Sequence, residues 1–85
     1  MFHLYVIKSC LKDWRYIGIS ANIGKRLAQH NSGGVQSTKP YRPLRLIYQE
    51  VFIDKKSARR RELFLKKNAK ARKDLFEKLR QAPIF

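Results

Sequence analysis

Two short stretches decide the fold: Phe2-His3-Leu4-Tyr5-Val6-Ile7-Lys8 and Arg15-Tyr16-Ile17-Gly18-Ile19. Both are rich in branched and aromatic side chains, and the polar residues 9–14 between them read as a turn, so the pair is predicted to form a β-hairpin. Strand alternation puts His3, Tyr5 and Ile7 on one face of the first strand and Leu4 and Val6 on the other. In the second strand it separates Tyr16 and Gly18 from Ile17 and Ile19. The simplest pairing buries Leu4, Val6, Ile17 and Ile19 together and collects Tyr5, Tyr16 and Gly18 on the opposite face. Glycine weakens a strand and marks a place where another backbone comes close. Gly18 is therefore a candidate substrate-contact position.

Outward from the hairpin, Ser20 or Asn22 is placed to cap a helix over residues 23–30, with Ile23 and Leu27 one turn apart. Asn31-Ser32-Gly33-Gly34 ends that helix, because glycine suits the left-handed position after a helix. A loop with Pro40 and Pro43 leads to a third strand over residues 44–53. Asp54 or Ser57 caps a second helix running to about residue 68. A last helix covers about residues 71–80, and Pro83 closes it. The expected fold class is α+β, a small three-stranded antiparallel sheet flanked by helices in the order ββαβαα, forming one domain over residues 1–85.

Composition narrows the function. Of 85 residues, 20 are Lys or Arg and 6 are Asp or Glu, a net charge of +14. A body this positive attracts polyanions, so nucleic acid, DNA in the first place, is the expected partner. An anionic membrane surface comes second. Residues 55–80 hold twelve Lys and Arg against Glu62, Asp74 and Glu77, which places most of the excess on the two C-terminal helices. The plain alternative is a solvated helix face, but a balanced surface would serve that purpose, and the surplus asks for a partner. Apolar runs fall far short of the roughly 20 residues of a membrane span. The N-terminus lacks the features of a signal peptide. One cysteine, Cys10, excludes an internal disulfide framework and a cysteine-rich zinc site, and it reads as a half-buried structural thiol. A cytoplasmic location follows as the default.

One acid stands apart. At 100° per residue Ala58, Leu65 and Ala69 form a stripe, and Glu62 falls in the middle of it. An inward carboxylate must be paired, hydrogen-bonded or metal-bound, because an isolated buried charge is very costly. Spacing alone leaves two readings open, an internal ion pair with an arginine and a ligand for a hard divalent cation. Glu50, between Tyr48 and Phe52 on one face of the third strand, is expected to pair with a neighbouring basic group. In the first helix Asn22, Arg26 and His30 recur every four residues. His30 reads either as a last-turn histidine favoured by the helix dipole or, beside Arg26, as half of a phosphate-handling pair.

Taken jointly, these residues resemble the GIY-YIG nuclease superfamily, in particular its small stand-alone bacterial members and the N-terminal catalytic domain of excinuclease C. His3-Leu4-Tyr5 stands where the Gly-Ile-Tyr element would be, with His3 in place of the first glycine. Tyr16-Ile17-Gly18 matches the second element outright. Residues 22–33 look like the helix that supplies the family's arginine and histidine, and Arg61-Glu62 with Leu65-Lys66 looks like the helix that supplies its metal-binding glutamate. Ser37-Thr38-Lys39 and Arg42-Pro43-Leu44-Arg45-Leu46 resemble the loop and third strand of the small members.

The resemblance implies a Mg²⁺- or Mn²⁺-dependent endonuclease that hydrolyses phosphodiester bonds, in DNA repair or recombination. It gives Tyr5 the task of orienting or deprotonating the attacking water, with Tyr16 in support. Arg26 would stabilise charge on the phosphoryl oxygens, His30 would relay a proton, and Glu62 would hold the single metal ion. Lys39, Arg42, Lys66 and Lys67 are the expected phosphate contacts beside Gly18. It also implies a protein partner or attached domain that supplies specificity. A working phenol base would need the positive field, the arginine and the metal to pull it below its usual pKa near 10. The alternative is a nucleic-acid-binding module of the same fold without cutting activity. A protein- or membrane-interaction domain would instead expose an apolar patch around Leu75, Leu79, Ile84 and Phe85.

Overall fold

The computed structural model describes residues 1–81. It has β1 (Phe2–Ser9), β2 (Arg15–Ser20), α1 (Ile23–Asn31), a 3₁₀ turn (Lys39–Tyr41), β3 (Leu44–Phe52), α2 (Lys55–Lys67) and α3 (Ala69–Gln81). The order ββαβαα and the antiparallel sheet are as the sequence predicts, with β1 in the centre of the order β2-β1-β3.

Register explains the division of labour. Leu4 faces Ile19 and Val6 faces Ile17, while Tyr5 lies opposite Gly18 and Ile7 opposite Tyr16. Leu4, Val6 and Ile17 join Ile47 and Leu65 in one core under α2 and α3. Tyr5, Ile7 and Leu44 form a second core, with Trp14, Tyr16, Ile23, Leu27 and Tyr41 packed against it. Both faces of β1 are thus covered, and its hydrophobic run is close to continuous. A register shift between Val6 and Ile7 inserts an extra residue in β3. Its effect is to place Leu44 and Leu46 with the α1-side core and Ile47 and Tyr48 with the other.

The caps settle the alternatives. Asn22, not Ser20, accepts the Lys25 backbone N–H at 3.0 Å. Asp54, not Ser57, caps α2 by accepting the Ser57 N–H at 2.8 Å. Asn68 ends α2 and starts α3 at once, accepting from Ala71 N–H at 3.0 Å through its side chain. α3 therefore begins two residues earlier than its periodicity suggests. Ala69 is exposed at its first position and is not part of the Ala58–Glu62–Leu65 stripe. Gly33 takes φ +87 after α1, with the Arg42 guanidinium 3.0 Å from where a Cβ would stand.

Two smaller expectations are corrected. Cys10 is exposed, because Ser9 fills the inward position of the turn, and the Ser9 Oγ accepts from the N–H of Leu11 and of Lys12. Leu75 and Leu79 pack against the core rather than forming an exposed patch, while Pro83, Ile84 and Phe85 lie outside the described residues. Among the described residues no helix is long and apolar enough to cross a membrane.

Candidate active site

Tyr5 is the centre of the site. It sits on the inner strand, 2% exposed, and its ring crosses the neighbouring strand at Gly18. A Cβ at Gly18 would stand 2.5 Å from the Tyr5 hydroxyl and 2.6 Å from Cζ. The close approach expected at this glycine is therefore made by a side chain of the same sheet. Glycine lets the phenol reach past β2, the edge strand, toward the elements that carry the other candidate residues.

His30, in the last turn of α1, is wholly buried, and both ring nitrogens are engaged. Nε2 lies 2.9 Å from the Tyr5 hydroxyl and Nδ1 lies 2.8 Å from Thr38 Oγ1. The Thr38 hydroxyl donates to the Val35 carbonyl at 3.3 Å, which assigns Thr38 as acceptor from His30 Nδ1–H. His30 Nε2 is then the acceptor, and Tyr5 donates to it. Burial, with the charge of Arg26 adding to it, pushes the His30 pKa below its ordinary 6.5, so the imidazole is neutral near pH 7. The side-chain amide of Asn31 bonds both N–H and C=O of Leu44, pinning the end of α1 to the start of β3. Thr38 was not singled out by sequence reasoning. Its signal was faint, a hydroxyl eight residues after His30 in the loop quoted for the resemblance.

Arg26 lies one turn before His30 and is hydrogen-bonded to Gln29 at 3.0 Å. Tyr16 brackets the same space, its ring 6.5 Å from that of Tyr5 and 5.2 Å from that of His30. Burial raises the Tyr5 pKa, Arg26 opposes the rise, and the charges of Tyr16 and Glu62 add to it. The net direction is upward, because desolvation of the phenolate outweighs the nearby cation. Tyr5, Tyr16 and His30 thus pack together, and Arg26 and Glu62 lie near enough for their charges to act on Tyr5.

Glu62 is 4% exposed, in the inward row of α2 between Ala58 and Leu65. Its two oxygens are held by Arg59 at 2.6 Å and Lys66 at 3.0 Å, from the turns before and after it. Arg61, its neighbour in sequence, points elsewhere and grips Glu50 with two bonds of 3.0 and 3.1 Å. Lys66 also lies 5.6 Å from the centre of the Tyr16 ring, joining Glu62 to the tyrosines. Lys67 is exposed at the end of α2 and makes no such link. Lys39 and Arg42 are exposed on the loop that carries Thr38, with Arg42 Nε bonded to the Lys39 carbonyl at 3.0 Å. Beside them Trp14 and Tyr41 stack in parallel, 3.8 Å apart, tying the hairpin turn to this loop.

The donor set for a metal is spare. Among the described residues no three His, Cys, Asp or Glu side chains cluster. A hard divalent cation needs one or two protein carboxylates when phosphate and water supply the rest, and Glu62 meets that minimum. Its present partners have side chains 57% and 44% exposed, so both can swing into solvent, whereas the carboxylate cannot leave its place.

A three-stranded sheet that sets two tyrosines against an arginine and a histidine on the first helix, and a glutamate on the second, defines a catalytic-domain class. Residues 1–75 match the GIY-YIG catalytic domain, and the chain belongs to that family. More particularly, it is 43% identical over 61 residues to a UPF0213 protein of Staphylococcus haemolyticus, covering 71% of this chain and 73% of that one. A UPF0213 protein of Lactiplantibacillus plantarum is 42% identical over 64 residues, 72% of this chain and 62% of that protein. The solution NMR structure of a UPF0213 protein from Bacillus halodurans superposes with a TM-score of 0.55 at 28% identity, covering 98% of this chain and 89% of that one.

Proposed function

We propose that this chain is a metal-dependent endonuclease that hydrolyses phosphodiester bonds in nucleic acid, DNA in the first instance. The observation that carries the reading is the buried hydrogen bond from the Tyr5 hydroxyl to a neutral His30, 2.9 Å long, within electrostatic reach of Arg26 and Glu62. Tyr5 takes a proton from the attacking water as its own passes to His30 Nε2, so no free phenolate is needed. The Thr38 acceptor fixes the tautomer that leaves Nε2 open for that proton. Arg26 stabilises the charge that builds on the phosphoryl oxygens, and Tyr16 helps to orient the phosphate. Glu62 would hold a Mg²⁺ or Mn²⁺ ion, whose chemistry is Lewis-acid stabilisation of the phosphate and leaving oxygens. Lys66, released from Glu62, is then a phosphate contact, and Lys39 and Arg42 hold the strand from the opposite loop.

The ion pairs on both Glu62 oxygens favour a second reading, a binding module with this fold in which Arg59 and Lys66 keep the carboxylate from metal. One titration separates the two. The protein is incubated with flapped, branched, nicked and plain duplex DNA and with RNA, in Mg²⁺ or EDTA. Metal-dependent cutting that falls by on the order of 10²–10³-fold in Glu62→Ala and Arg26→Ala is the expected result. Cutting that survives both changes removes the mechanism. Binding without cutting on every substrate leaves the second reading.

A further inference from the structure

A basic groove lies outside the catalytic cluster, between β2 and α3. Arg72, Lys73, Phe76, Glu77 and Arg80 recur at helical spacing and make one side of α3 a wall. Arg15 of β2 closes the other side, enclosing a volume of about 450 Å³. A second depression of about 240 Å³ shares Arg15, Arg72 and Phe76 and continues to Tyr16 and Lys66. The trough therefore runs from the catalytic tyrosine along α3.

Its chemistry is one-sided. Four cations line the larger part against one carboxylate, Glu77, and Lys66 adds a fifth at the catalytic end. Arg15 is packed over the Phe76 ring at 5.3 Å. Its Nη1 bonds the exposed Asp13, but its Nε is buried and has no hydrogen-bond partner among the described residues. A buried donor left unpaired is costly, and so is a row of like charges facing each other. Arg72 bonds the Leu65 and Lys66 carbonyls through Nη1 alone, so its guanidinium is held in place at the end of α2 with its other nitrogens outside that cap. From Arg72 to Arg80 the helix rises about 12 Å. At about 3.4 Å of duplex axis per nucleotide of one strand, that length matches three to four nucleotides.

We propose that this groove is a strand track: it binds the phosphodiester backbone on one side of the scissile bond and feeds it to Tyr16 and Lys66. The proposal rests on the nuclease reading, and it assigns Arg15, Arg72, Lys73 and Arg80 a role in substrate binding rather than in chemistry.

The test is equilibrium binding of a fluorescein-labelled DNA oligonucleotide in EDTA between roughly 50 and 200 mM salt. Lys73→Ala/Arg80→Ala removes two exposed groove cations that make no hydrogen bond or ion pair among the described residues. Each lost phosphate contact should flatten the logarithmic salt slope by about 0.7–0.9, so the pair should flatten it by about 1.5. Arg45→Ala/Lys56→Ala removes the same charge from exposed positions that do not line the groove, and should change the slope by less than half as much. Far-UV circular dichroism confirms that both doubles fold. In Mg²⁺ the groove double should raise KM with kcat unchanged, and Arg26→Ala should lower kcat. Equal slopes for the two doubles, or a groove double that binds like wild type, overturns the track. A wild type that binds with the expected loss in the groove double but does not cut supports the track and removes the nuclease reading. A wild type that binds no nucleic acid removes both.

Discussion

Each face of the sheet buries a tyrosine beside titratable groups, and the two tyrosines are held in opposite ways. On the α2 side the Tyr48 hydroxyl donates to Glu50, which Arg61 grips in turn. Burial, with the Glu50 carboxylate adding to it, pushes the Tyr48 pKa up to about 12, and its proton is locked in a closed ion-pair network. On the α1 side the Tyr5 hydroxyl donates to an uncharged imidazole, with Arg26 opposing the effect of burial. A neutral base can accept the proton outright, whereas the carboxylate of Glu50 is already neutralised by Arg61. The contrast teaches that a buried phenol becomes chemistry through the acceptor it is given, and burial alone does not distinguish the two.

The most severe way to break the comparison is to remove each hydroxyl. On the proposed mechanism, Tyr5→Phe lowers the rate of cleavage by on the order of 10²–10⁴-fold, the range of a general acid–base group. Tyr48→Phe leaves it within a few-fold. A single-turnover assay with saturating protein reads both, and equal losses would end the distinction drawn between the two faces.

A step smaller, Gly18→Ala forces a methyl group into the space of the Tyr5 hydroxyl, where a Cβ would stand 2.5 Å away. Since that oxygen is bonded to His30, the ring cannot give way freely. The expected cost is about 1–3 kcal/mol of stability, read from urea unfolding, together with loss of cutting. A variant as stable and active as wild type would show that the ring has another place to go.

The smallest effect is the most diagnostic of protonation. The His30 pKa is lowered in the fold below 6.5, so the unfolded chain binds the proton first as pH falls. Stability is therefore unaffected by this group above about pH 6.5 and declines below it, by at most about 1.4 kcal/mol per pH unit. His30→Gln should flatten urea midpoints measured between pH 6.5 and 5, whatever it does to their absolute level. Asp13 and Asp54, whose pKa values are lowered by Arg15 and by the Ser57 amide respectively, act at lower pH and leave that window clear. An unchanged pH profile in the variant would mean that the fold does not lower the His30 pKa.

Much of this was legible in the residues themselves. Alternation in residues 2–8 and 15–19 set the two faces of the hairpin. Ser20 or Asn22, and Asp54 or Ser57, marked the starts of α1 and α2, and helical spacing put Glu62 on an inward row. These features are local, because backbone geometry repeats every two or 3.6 residues whatever the rest of the chain does. Other features depended on how distant elements dock. The Tyr5–His30 bond joins residues 25 apart, and it exists because Gly18 lets a ring from the central strand cross the edge strand to meet the end of α1. Spacing also left open that Arg59 and Lys66 hold Glu62 while Arg61 turns to Glu50, since that choice follows from the rotation of α2 on the sheet. The strand pattern and the charge were properties of the sequence. Which acid meets which cation, and which phenol meets a base, were decided by tertiary packing, because hydrogen bonds and ion pairs act over a few ångströms that periodicity along one element cannot supply.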